Sequence, residues 1–171
     1  EGAYMERGLF DSIKYLKSIG RYPMHMPGHK RRVTPAEGLP VGWDITEIEG
    51  ADDLHWSEGL LKSAMERTAA VWGADRTWYL VNGSTCGIHA AIRAAAGCGG
   101  RIIAARNCHK SVFHAVELGE LDAVWIAPPA EEKFEIFASM PPELVARALE
   151  RERDIRCVVV TSPTYEGCVS D

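Results

Sequence analysis

The order of elements in this 171-residue sequence predicts an α/β fold, a mostly parallel sheet flanked by helices. Two observations carry the prediction. After Gly59, stretches with apolar residues at helical spacing alternate with short, β-branched apolar runs, and that alternation builds a sheet covered by helices on both faces. The composition, 46% apolar and 25% charged, is that of a soluble globular chain, so disorder, collagen-like repeats and a coiled rod are excluded.

The elements follow in order. Leu9, Ile13, Leu16 and Ile19 fall at helical spacing, and Gly20 supplies a C-terminal stop. Residues 21 to 59 carry Pro23, Pro27, Gly28, Pro35, Gly38, Pro40, Gly42, Gly50 and Gly59 with almost no periodicity, a long irregular stretch of the kind that is usually functional or disordered. His25, His29, Lys30, Asp44, Glu47, Asp52, Asp53 and His55 concentrate there and favour function. Leu60 to Trp72 reads as a helix, Thr77 to Val81 as a short buried strand, and Thr85 to Ala96 as an Ala-rich helix. A turn at Gly97 to Gly100 leads to a strand at Arg101 to Ala105, then a short helix at Ser111 to Leu118 and a strand at Ala123 to Ala127. Pro141 and Pro142 open a helix that runs to about Arg153, and Val158 to Thr161 is the last strand. Residues 1–59 are therefore read as an N-terminal helix with a loop segment, and residues 60–171 as the first part of an α/β domain.

Charge and cysteine usage narrow the function. Nineteen Lys and Arg against 24 Asp and Glu give a formal charge of −5, and no basic stripe with interleaved aromatics appears, which argues against a nucleic-acid partner. No apolar run approaches the ~18 residues of a membrane span, and the N-terminus lacks the basic and apolar regions of a signal peptide, so the reading is a cytoplasmic chain. The cysteines Cys86, Cys98, Cys108, Cys157 and Cys168 are odd in number and form no Cys-x-x-Cys, which favours reduced thiols over a disulfide framework or a zinc site. The chain opens at Glu1 and stops just past Val169, as a piece truncated at both ends would.

Open α/β sheets bind ligands beyond the carboxyl ends of their strands. Three segments occupy such positions. In Val81-Asn82-Gly83-Ser84-Thr85, Gly83 allows a tight turn, Ser84 and Thr85 supply hydroxyls, and the helix that follows supplies free N–H groups and a positive dipole end. That is a phosphate site in outline, although neither a Walker loop nor Gly-x-Gly-x-x-Gly, and a plain helix cap is the alternative. In Asn107-Cys108-His109-Lys110-Ser111, an imidazole can stack on a flat ligand, act as acid or base, or bind metal; no second metal ligand shares its helix face, so metal is disfavoured. A histidine satisfied by a backbone carbonyl is the competing explanation. The third segment is Ser162 to Gly167. Asp44, Glu47, Asp52 and Asp53 suit acid–base or cation chemistry, or simply a solvated acidic loop, and lack calcium-loop spacing. Cys86 and Cys108 are conceivable nucleophiles, but a packed, idle thiol is the commoner state.

Taken in order, Pro23-Met24-His25-Met26-Pro27-Gly28-His29-Lys30, Asp44-Ile45-Thr46-Glu47, Asp52-Asp53-Leu54-His55, Val81-Asn82-Gly83-Ser84-Thr85, Arg106-Asn107-Cys108-His109-Lys110-Ser111 and Thr161-Ser162-Pro163-Thr164-Tyr165-Glu166-Gly167 resemble the ornithine/lysine/arginine decarboxylase family. The resemblance runs from about Leu9 to Asp171. It implies the large domain of a fold-type-I, aspartate-aminotransferase-like enzyme dependent on pyridoxal 5'-phosphate. By resemblance, Gly83, Ser84 and Thr85 hold the cofactor phosphate, His109 stacks on the pyridine ring as the catalytic residue in this piece, and Thr161 or Thr164 lies near the ring.

The same resemblance implies a carbon–carbon lyase that takes arginine, lysine or ornithine and releases CO2 and a diamine or agmatine, for polyamine biosynthesis. It implies a homodimer or higher homo-oligomer with the active site at the dimer interface, and the shorter family form without an N-terminal regulatory domain. The Schiff-base lysine and the aspartate on the ring nitrogen belong to segments after the Pro-Thr-Tyr-x-Gly turn, so the piece alone is expected to be inactive. Lys110 is no substitute, because it follows directly on the stacking imidazole and points elsewhere. Other fold-type-I reactions, such as transamination, and a non-catalytic binding module are the alternatives.

Overall fold

A computed structural model describes residues 8–30 and 41–170. Pro35, Gly38, Pro40 and Asp171 lie outside the described residues. The chain divides into two compact units between Tyr79 and Leu80.

Among its described residues the N-terminal unit holds two α-helices. α1 spans Leu9–Ser18, one residue short of the predicted Ile19, and Gly20 follows in the left-handed region at φ 67°. Leu16 and Ser12 are its buried positions, and Ser12 Oγ donates to Gly8 O at 3.1 Å, which satisfies the hydroxyl within the first turn. A single 3-10 turn, Val41–Trp43, sets Trp43 edge-on to Phe10 with ring centroids 5.0 Å apart. α2 spans Leu60–Trp72, as the sequence predicts, and buries Leu60, Ala64, Met65 and Ala69 along one stripe. Gly73 ends it at φ 64°, a conformation that a Cβ would strain, while Ala74 N–H reaches back to Ala69 O at 2.9 Å.

The C-terminal unit is a three-stranded parallel sheet with helices against it, its strands in the spatial order β2 (Asp122–Ile126), β1 (Arg101–Ala105), β5 (Ile155–Val159). α3 (Gly83–Ala96) leads through the Gly97–Gly100 turn into β1 (Arg101–Ala105), α4 (Lys110–Leu118) and β2 (Asp122–Ile126). A two-residue hairpin follows, β3 (Ala130–Glu131) with β4 (Ile136–Phe137), then α5 (Pro142–Arg151) and β5 (Ile155–Val159). The central strand β1 is buried on both faces: Ile102, Ile103, Ala104 and Ala105 have no exposed surface, which is why its sequence is uniformly apolar rather than alternating. Ile92 and Ala96 of α3, Val112 and Ala115 of α4, and Leu121 complete the core around Ile102 and Ala104. A Cβ on Gly100 would lie 2.1 Å from Ala96 O, so only glycine lets the strand start this close to the helix end.

Two expectations shift. The run Thr77 to Val81 pairs with no strand among the described residues, and Trp78, Leu80 and Val81 stand exposed. Apolar composition alone makes no strand; a ladder needs a partner's N–H and C=O groups. The last strand begins at Ile155 rather than Val158, because the ladder with β1 starts at Arg101↔Ile155 and ends at Ala104↔Val159, leaving Val160 and Thr161 beyond their partner.

Among the described residues no helix is long and apolar enough to cross a membrane.

Candidate active site

The carboxyl ends of β1 and β5 and the N-terminus of α3 supply the site. β1 ends at Ala105, and the next residues turn sharply: Cys108 N–H bonds Ala105 O at 3.1 Å, Arg106 N–H bonds Ile126 O at 2.7 Å, and His109 becomes the N-cap of α4. Its Nδ1 accepts the Ser111 N–H at 3.2 Å and lies 2.9 Å from Ser111 Oγ. The imidazole is thus held by the helix it opens, with no carbonyl partner among the described residues. Arg106 extends over the stacked pair Phe113 and Trp125, 5.1 and 5.9 Å from their ring centroids.

α3 opens differently. Gly83 sits at φ 66°, which a Cβ would strain, and Asn82 as N-cap makes no side-chain hydrogen bond to the first turn. No acidic side chain lies in that turn either. The first N–H groups of α3 therefore have neither a side-chain cap nor a neighbouring carboxylate, and the exposed Ser84 and Thr85 stand beside them. That combination leaves the donors and the positive dipole end that an anion would need.

His109 lines a hollow of about 540 Å³ with Ile88, Ala91 and Ile92 of α3, Val112, and the end of β5 from Cys157 through Thr161 and Ser162. Ser84 and Thr85 do not line this hollow, but they precede Ile88 by one helical turn on the same face of α3. Thr164 does not line it either. It is buried, and its hydroxyl accepts Cys168 N–H at 3.2 Å while its own N–H bonds Cys168 O at 2.8 Å, so it closes the turn after β5. Thr161 and Ser162 form the rim on that side.

The thiols and carboxylates take structural places. All five cysteines are free; burial pushes the thiols of Cys108 and Cys157 up from their ordinary value, and for Cys108 this outweighs its backbone N–H and the Arg106 charge. Neither suits a thiolate nucleophile. In the N-terminal unit Asp44 Oδ2 meets His29 Nε2 at 3.2 Å, the Thr46 hydroxyl donates to Glu47, and Asp53 Oδ1 accepts His55 N–H at 2.7 Å. Asp52 does most. Its carboxylate accepts the N–H groups of Asp53, Glu58, Gly59, Leu61 and Lys62 at 2.8 to 3.3 Å, capping α2 from outside the helix. Among the described residues no three His, Cys, Asp or Glu converge as metal ligands.

With this geometry in place, comparison with known proteins is decisive: residues 8–171 match the Orn/Lys/Arg decarboxylase major domain. The chain belongs to the Orn/Lys/Arg decarboxylase family. Relatives include an uncharacterized Bacillus subtilis protein, YaaO, 39% identical over 75% of this chain and 27% of its own. The arginine decarboxylase of B. subtilis is 32% identical over 97% of this chain and 35% of its own, and the lysine decarboxylase LdcA of Pseudomonas aeruginosa is 28% identical over 85% and 23%. The chain thus spans roughly a quarter to a third of the length of these curated relatives. In fold it resembles the constitutive lysine decarboxylase of Escherichia coli, with a TM-score of 0.72 at 22% identity over 93% of this chain and 25% of that one. The α/β class expected from the sequence is the fold of this decarboxylase domain.

Sequence reading missed the structural role of two residues. Ser111, which holds His109, carries a signal in hindsight, a hydroxyl two residues past a histidine that opens a helix; the cap that Asp52 makes on α2 carries none, since it lies eight residues ahead of that helix.

Proposed function

We propose that this chain is the cofactor-gripping part of a pyridoxal-phosphate-dependent decarboxylase acting on a basic amino acid: arginine, lysine or ornithine. The observation that carries the reading is the uncapped N-terminus of α3, where Gly83, Ser84 and Thr85 meet free N–H groups with no acid in the first turn. A phosphate dianion suits this donor set, because helix-end N–H groups and hydroxyls donate to its oxygens and the dipole favours its charge. The residues present therefore fit the group. Gly83, Ser84 and Thr85 would hold the phosphate, His109 would lie against the ring, and Thr161, at the rim of the hollow, would bound it. When bound, pyridoxal phosphate supplies the electron sink that makes loss of CO2 from an α-amino acid accessible.

The chain's own residues do the rest. The helix end and hydroxyls fix one end of the ligand. The imidazole, locked at Nδ1, offers a flat face at the rim of the hollow. Ile88, Ile92 and the β5 valines make the floor of the hollow apolar, a surface suited to a flat ring. Cytoplasmic location, a homo-oligomeric full-length protein and a product that is a diamine or agmatine belong to the same proposal. Arginine is the first substrate to assay, since relatives of 31 to 33% identity covering most of this chain are arginine decarboxylases.

The test uses the full-length protein incubated with pyridoxal phosphate and, in turn, arginine, lysine and ornithine, with CO2 and keto acid measured together. CO2 release from at least one substrate without keto acid is the expected result. Keto-acid formation, or no reaction with all three, would overturn the proposal.

A further inference from the structure

Most helix N-caps are Ser, Thr, Asp or Asn; α4 is capped by an imidazole. His109 Nδ1 accepts the Ser111 N–H at 3.2 Å and sits 2.9 Å from Ser111 Oγ. Ser111 is 1% exposed, and its hydroxyl has no other partner among the described residues. A backbone N–H can only donate, so Nδ1 must present its lone pair. A neutral imidazole that does so carries its proton on Nε2. The opposite tautomer would set two hydrogens against each other at Nδ1 and leave a buried N–H without an acceptor, a bias of about tenfold or more against it.

We propose that Ser111 is a positioning residue: through its N–H and its hydroxyl it fixes His109 in the Nε2–H tautomer and sets the plane of the ring at the rim of the hollow. Its functional meaning rests on the reading of His109 as the ring beside the cofactor. The tautomer itself is a property of the chain without any ligand. Ser111 touches no ligand in this scheme; it acts only through His109. The hydroxyl completes the grip. Two donors on one lone pair hold the ring against rotation about its Cβ–Cγ bond, where one donor would leave it free to rock.

The experiment uses the full-length protein with 15N-labelled histidine, first without pyridoxal phosphate. The His109 signals are assigned by their loss in His109→Asn. Long-range 1H–15N spectra should show Nδ1 unprotonated and Nε2 protonated in the wild type. In Ser111→Ala, which keeps the N–H and loses the hydroxyl, the minor tautomer should rise, and the affinity for added pyridoxal phosphate should fall about fivefold, the worth of one hydrogen bond. Ser111→Thr, which restores a hydroxyl, should move both readouts back toward wild type. A wild-type Nδ1 that bears the proton would overturn the proposal, as would a Ser111→Ala protein unchanged in both tautomer and affinity. If Ser111→Ala does not fold, the wild-type spectrum still decides. A wild type that shows the Nε2–H form yet takes up no pyridoxal phosphate supports the assignment of Ser111 and removes the proposed function instead.

Discussion

His109 has two roles that one substitution would confuse and two can separate. It caps α4 through Nδ1, and it offers its ring to the hollow. His109→Ala removes both. His109→Asn keeps an acceptor, Asn Oδ1, near the place of Nδ1 and removes the ring. Loss of an N-cap costs about 1 kcal/mol, within a range of about 0.5–2. In a protein of several hundred residues that lowers the melting temperature by roughly 2 °C, and His109→Asn should recover most of it. The ring itself contributes more to a flat ligand: aromatic contact is worth about 0.5–1.5 kcal/mol beyond the area it buries, so both variants should bind pyridoxal phosphate about tenfold more weakly than wild type. The assays are thermal unfolding of the full-length protein without cofactor and a titration with pyridoxal phosphate. If His109→Asn regains both stability and affinity, the histidine is only a helix cap, and the reasoning that places its ring beside a cofactor is wrong.

Other outcomes follow from the same geometry. Ser84→Ala and Thr85→Ala should each weaken pyridoxal phosphate binding by about tenfold or more, the worth of a hydrogen bond to a charged group of about 1.5–3 kcal/mol, while leaving the affinity for pyridoxal without its phosphate unchanged. Asp52→Asn should cost about 2 kcal/mol in unfolding free energy, since an amide cannot accept five N–H groups with two oxygens as the carboxylate does. Burial raises the Asp52 carboxyl, but the N–H donors together outweigh it and hold it below its ordinary value, so its contribution is complete above the unfolded carboxylate range and drains away as pH falls through the lower folded value. The gap between wild type and Asp52→Asn, followed by denaturant titration, should therefore stay constant from about pH 7 to pH 5 and narrow below about pH 4. Arg101 bridges Asp122 and Glu152 at 2.8 Å each, at the start of β1; Arg101→Met should cost about 1 kcal/mol at low ionic strength and less in 1 M salt, which chemical denaturation at two salt concentrations would show.

Much of the fold was legible because its signals are local. α2 is bounded by an irregular stretch before Leu60 and by Gly73 after Trp72, and β1 by Gly100 and the polar Arg106-Asn107, so periodicity and punctuation agree. The glycine turn that opens α3 was legible for the same reason: Gly83, the hydroxyls of Ser84 and Thr85 and the helix lie within a few residues. What failed depends on partners far along the chain. Thr77 to Val81 has a strand's composition and no partner among the described residues, and β5 takes its limits from β1 rather than from its own β-branched run. The hairpin of β3 and β4 was invisible because two residue pairs around a charged Glu131-Glu132-Lys133 turn leave almost no pattern to read. The hollow itself was half legible: His109 and Thr161 were named from the sequence, whereas Ile88 looked like any core position of an Ala-rich helix.

The four candidate carboxylates Asp44, Glu47, Asp52 and Asp53 show how a structure reassigns chemistry that composition leaves equal. By sequence each suits the distal cation of a basic amino acid equally well. In the fold, the Asp52 carboxylate is occupied by five backbone donors on its two oxygens, so it has no lone pair free for a ligand and belongs to the helix. Asp53 commits one oxygen to His55 N–H, and Asp44 one to His29. Glu47 is fully exposed, and the Thr46 hydroxyl, with its own backbone N–H, holds its carboxyl below its ordinary value, so it is ionised at neutral pH, where a basic amino acid is cationic. Availability to a cation therefore rises from Asp52, which has none to give, through Asp44 and Asp53 to Glu47. A substitution at Asp52 should register in unfolding and not in substrate KM. At Glu47, whose contacts stabilise nothing buried, any effect on catalysis should register in KM and not in unfolding, and that contrast separates a scaffold carboxylate from a substrate-facing one.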